Sequence, residues 1–104
     1  MPEKSYLIFL DVDVRKRHYH KTERGRVVDF VVQLEVKTAE GNWQAVIRYN
    51  CAHDYAHCDR FTLKGEQKKE ELRLDYAEAL VVADDDIDDH WQEYRDRFLK
   101  GGFP

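Results

Sequence analysis

Apolar and polar residues alternate along the first half of the chain and then change period. From Tyr6 to Val14, Ile8, Leu10, Val12 and Val14 fall on one face, with Asp11 and Asp13 on the other; this is the two-residue period of a strand. Leu7 and Phe9 make the start of this strand apolar on both faces, which places it under cover or near an interface. The strongest alternation runs from Val27 to Lys37, where Phe30, Val32, Leu34 and Val36 interleave with Val31, Gln33, Glu35 and Lys37. Trp43 to Tyr49 and Asp59 to Lys64 read as two further strands. Ala39-Glu40-Gly41-Asn42 forms a hairpin turn with Gly41 in the left-handed position.

After Leu74 the pattern becomes helical. Tyr76, Leu80, Ala83, Ile87, Trp91, Tyr94 and Phe98 recur at intervals of three or four and form one stripe, which Gly101-Gly102 ends. Asp84-Asp85-Asp86-Ile87-Asp88-Asp89 interrupts the stripe with weak helix formers of like charge. The aspartates are expected to form a solvated face, and a break at Asp84 is the alternative to a continuous helix. The expected fold is α+β: one domain over residues 1–104, with a four-stranded antiparallel meander and a long C-terminal helix packed across it.

Composition narrows the function classes. No apolar run reaches the length of a membrane span, and the N-terminus lacks the pattern of a signal peptide, so the expected compartment is the cytoplasm, with both cysteines reduced. The net charge of −4 is uneven. Residues 1–49 hold nine Lys/Arg against seven Asp/Glu, and residues 50–104 hold eight against fourteen. An acidic chain is a poor non-specific nucleic-acid binder, but a local basic arm is not. Residues 15–26 are such an arm, with a turn at Thr22-Glu23-Arg24-Gly25. Arg15, Arg17, His20 and Arg24 are candidate phosphate contacts there, and Tyr19 is a candidate stacking platform. The plainer reading is a solvated hairpin tip.

The chemistry concentrates in Arg48-Tyr49-Asn50-Cys51-Ala52-His53-Asp54-Tyr55-Ala56-His57-Cys58-Asp59. Two imidazoles supply an acid and a base near neutral pH, so His53 and His57 are candidate catalysts. Asp59 would orient one of them, Arg48 would stabilise developing charge, and Tyr49 would stack or donate a proton. Such machinery cleaves RNA without a metal. The competing chemical reading is a divalent-metal site on His53, His57 and Asp59, or on Cys51, His53, His57 and Cys58. The structural reading has these side chains capping a hairpin, with Cys51 and Cys58 facing each other as small apolar residues.

The run Ile47 to Asp59 also resembles the signature of a family of small uncharacterised prokaryotic proteins. In that family Arg-Tyr-(Asp/Asn)-x-Ala-His leads to a second histidine and a nearby acid, and some relatives are similar to TumE-type toxins of toxin–antitoxin pairs. Arg48, Tyr49, His53, His57 and Asp59 fall on signature positions. Asn50 stands where an acid is common, and Asp54 where glycine is common. The resemblance implies a toxin-like role acting on RNA, with RNA or a cognate antitoxin protein as partner. A homodimer and a non-catalytic interaction module are the alternatives.

Overall fold

The computed structural model describes residues 2–104, except the side chain of His53. Six strands form one sheet in the order β1-β2-β3-β4-β5-β6, and each pairs antiparallel with its neighbour in sequence. The strands are β1 (Glu3–Asp11), β2 (Val14–Glu23), β3 (Arg26–Lys37), β4 (Trp43–Asn50), β5 (His57–Phe61) and β6 (Gln67–Glu71). A single helix, α1 (Tyr76–Leu99), packs on one face against β3 and β4. The α+β class, the meander and the C-terminal helix stand as expected, but the sheet has six strands rather than four.

The two added strands have a common physical cause. The basic arm is itself β2, and the first strand ends in a turn at Val12-Asp13 rather than running to Val14. Alternation in β2 sends Val14, Lys16, His18 and His20 to the helix side and Arg15, Arg17, Tyr19 and Lys21 to the other. Apart from Val14 no aliphatic residue marks either face, so hydropathy alone misses the strand. Carboxylates take over the role of apolar partners. Lys16, only 4% exposed, pairs with Asp84 at 3.2 Å and Asp88 at 2.7 Å. Burial lowers the Lys16 pKa, but the Asp88 and Asp84 bonds outweigh it and hold the ammonium above its ordinary value. Strand β6, Gln-Lys-Lys-Glu-Glu, is exposed throughout and carries no apolar signal at all.

Helix α1 is continuous through Asp84. Asp75 caps it, its Oδ1 accepting the Glu78 N–H at 2.8 Å. At the other end the Gly101 and Gly102 N–H groups donate to Phe98 and Arg97 carbonyls, and Gly101 takes a φ of 91°. Ala79, Ala83, Ile87, Tyr94 and Phe98 are buried against Phe30, Val32, Leu34, Val36 and Ile47.

The aspartate run is a solvated face only in part: Asp85, Asp88 and Asp89 are exposed, whereas Asp84 and Asp86 are half-buried against the sheet. Asp84 accepts from Lys16 and lies 3.3 Å from His18 Nδ1, and Asp86 accepts the Tyr49 hydroxyl at 2.5 Å and the Tyr94 hydroxyl at 2.6 Å. Asp84, Asp86 and Asp88 are polar anchors of the helix to the sheet. No helix among the described residues is long and apolar enough to cross a membrane.

Candidate functional site

The sheet face turned away from α1 carries most of the chemistry. Cross-strand register lays its side chains out in rows. One row runs Leu7, Arg17, Gln33, Arg48, Asp59, Lys69 across all six strands. The next runs Ser5, Tyr19, Val31, Asn50, His57, Glu71. On the other side Phe9 and Arg15 lead to Glu35, where a bulge at Val46 breaks the register into β4.

Glu35 anchors this face. Its carboxylate is 5% exposed and accepts Arg15 Nε at 2.6 Å, Arg17 Nε at 2.9 Å and Gln33 Nε2 at 2.5 Å. Burial pushes its pKa up, but the Arg17, Arg15 and Gln33 hydrogen bonds outweigh burial and hold the carboxyl below its ordinary value. Gln33 Oε1 in turn accepts Arg48 Nε at 2.6 Å. Three guanidinium groups are therefore fixed through Nε, and no hydrogen bond to a described residue engages their Nη groups. The Arg15 guanidinium lies 4.0 Å from the Trp43 ring centre, and that of Arg48 lies 5.3 Å from the Phe61 ring centre. These aromatic contacts help hold the two groups in place.

The predicted catalytic residues separate. Arg48, His57 and Asp59 lie on this face, whereas Tyr49 faces the helix and is spent on Asp86. Burial, then the Asp86 bond, pushes the Tyr49 pKa far above the phenol range. His57 is 2% exposed; its Nδ1 lies 3.3 Å from the Tyr55 carbonyl and its Nε2 3.6 Å from Asp59 Oδ2. Asp59 is 4% exposed, takes a 3.3 Å bond from Asn50 Nδ2, and leaves Oδ1 buried without a described partner. The His53 side chain, and with it the expected His53–His57 pair, lies outside the described residues. For the metal set His53, His57 and Asp59, only the last two are described, and no group of three metal-ligating side chains occurs among the described residues.

Cys51 and Cys58 do not face each other. Cys58 opposes Tyr49 on the helix side, and Cys51 Sγ lies 3.4 Å from Asp29 Oδ1. Burial pushes Cys51 up to about 11 and Cys58 up to about 12, so neither is a thiolate near neutral pH.

The predicted phosphate contacts also divide. Arg15, Arg17 and Tyr19 share the open face. His20 lies on the helix side, its Nδ1 2.7 Å from His18 Nε2. Burial, then the neighbouring His18, holds the His20 pKa below its ordinary value. Arg24 sits in the β2–β3 turn at a φ of 51°, before Gly25 at 76°. Sequence reasoning missed Gln33 and Glu35 as site residues. The available signal was two polar residues on the strongest strand, lying opposite arginines once β2 and β4 are paired to it.

Beyond the rows, a cleft of about 800 Å³ opens where the motif loop, the β2–β3 turn and the β6–α1 connection meet. Arg26, Tyr55, Leu72, Arg73, Leu74 and Tyr76 line it, with Asp54 at its rim in a left-handed φ of 69°. Its charges are mixed, because Glu71 and Asp75 also line it.

Fold and open face together define an α+β protein with a six-stranded meander, one covering helix and an arginine-bearing sheet surface. The chain belongs to a family described as a domain of unknown function (DUF7718), whose model matches residues 1–104. No curated protein and no solved structure matches the chain.

Proposed function

We propose that the chain is a phosphodiester-binding module and that its open sheet face takes single-stranded RNA. Phosphates would lie on the Nη edges of Arg15, Arg17 and Arg48, and Tyr19 would offer a stacking surface beside them. The observation that carries this reading is the single anchor, Glu35 with Gln33, which fixes three guanidinium groups through Nε and leaves their Nη donors unengaged among the described residues. Preorganised forks of this kind suit phosphate oxygens. A toxin-like activity on RNA would need an acid and a base open to substrate. His57, walled in at 2% exposure, does not supply one, so the reading is of binding rather than cleavage.

The test is fluorescence anisotropy of a labelled single-stranded RNA across a salt series. The expected result is salt-dependent binding whose log–log slope falls by roughly 0.7 for each guanidinium removed in Arg17→Ala and Arg48→Ala. Affinity should drop similarly for unrelated sequences, because phosphate contacts carry no base information. His57→Ala should leave the affinity unchanged. No binding by the native chain at low salt, or equal binding by the arginine variants, overturns the proposal.

A further inference from the structure

The two edges of the sheet are built in opposite ways. Strand β6 is short and fully exposed, and all of its residues are polar or charged; these devices keep a sheet edge from pairing with another chain. Strand β1 confines its charges, Glu3, Lys4 and Asp11, and its one bulge to its ends. It is nine residues long, and its register to β2 is unbroken from Glu3 to Phe9. It contains no proline, and from Ser5 to Leu10 no charge. Four consecutive large residues stand open on it: Tyr6 at 42%, Leu7 at 41%, Ile8 at 40% and Phe9 at 60% exposed.

Both faces of β1 are involved. Leu7 and Phe9 lie on the arginine side, and Tyr6 and Ile8 lie on the helix side opposite His18 and Lys16. The backbone is open as well. The Pro2 carbonyl accepts the Thr22 N–H, so antiparallel alternation turns the N–H and C=O groups of Ser5, Leu7 and Phe9 away from β2.

We infer that β1 pairs antiparallel with β1 of a second copy of this chain across a two-fold axis at Ile8. The occupant follows from the strand's own sequence. Centred on Ile8, the pairing sets Leu7 against Phe9, Tyr6 against Leu10 and Ser5 against Asp11, so that no charge faces a like charge. Centred on Leu7, the longest alternative, it would set Glu3 against Asp11. The charged β6 edges end the assembly on both sides, so the contact closes as a dimer instead of growing into a fibre. The product is one continuous sheet with the helices of both copies on one side and both arginine faces on the other. This inference does not depend on RNA binding.

The test is the solution mass of the full chain by sedimentation equilibrium over a wide concentration series, on the native chain and on Leu7→Lys and Phe9→Lys, with circular dichroism as the check of folding. A native dimer that becomes monomeric in the lysine variants is the expected result. A second measurement needs no destabilising change. Ile8→Cys, across the axis from itself, should cross-link to a covalent dimer under mild oxidation, and Lys4→Cys should not. A native monomer at all concentrations, a dimer indifferent to both lysines, a larger assembly, or equal cross-linking at both positions overturns the inference.

Discussion

Glu35 is the residue on which the open face depends. Its pKa lies below the ordinary glutamate value because three donors outweigh the effect of burial. A depressed carboxyl binds fewer protons folded than unfolded, so it contributes stability above the unfolded value of about 4.3 and loses it as pH falls through the lowered folded value. Glu35→Gln should therefore be less stable than the native chain at neutral pH, and the two urea midpoints should converge as the pH drops below about 4. Midpoints that stay apart at acid pH would show that Glu35 acts by shape rather than by charge. At this scale the sequence was only partly legible. Arg48, His57 and Asp59, singled out together in the sequence, do share a face. Tyr49 went to the opposite face, because neighbours on a strand always do. The weight of Glu35 was hidden because its partners, Arg15 and Arg17, come from a strand that hydropathy did not reveal.

Helix α1 is the element whose reading held best, since an apolar stripe at helical spacing is a direct imprint of one buried face. Its end is fixed by packing more than by propensity. Phe98 is fully buried while its neighbour Leu99 is 47% exposed. Phe98→Ala should cost about 3–5 kcal/mol, the range for a buried aromatic cut to alanine. Leu99→Ala should stay within about 0.5 kcal/mol of the native chain. Urea denaturation followed by circular dichroism separates the two. The strands show why element reading fails where it does. β3 and β4 have alternating apolar faces and were legible, although β3 is drawn one residue longer at its start. β2 instead buries lysine and histidine against helix aspartates. That compensation joins distant positions, 66 residues apart for His18 and Asp84, which no local window can see. The same distance effect hid the part that Asp84, Asp86 and Asp88 play in tying the helix to the sheet.

For the molecule as a whole, the division of labour is between two faces of one sheet. The helix side holds the apolar core, and the open side holds fixed charge on a chain that is acidic in total. The family match covers the full length, so core and arginine face belong to the same unit of sequence. The strand order carries one more consequence, for the way the chain reaches this state. Every strand hydrogen-bonds to the next one in sequence, so each pairing closes a short loop and none has to wait for a distant segment. Refolding from urea should then proceed in a single phase on the order of milliseconds, faster than sheets of non-sequential topology, as stopped-flow fluorescence of Trp43 and Trp91 would record. The helix, last in the chain, covers the face on which β3 and β4 meet.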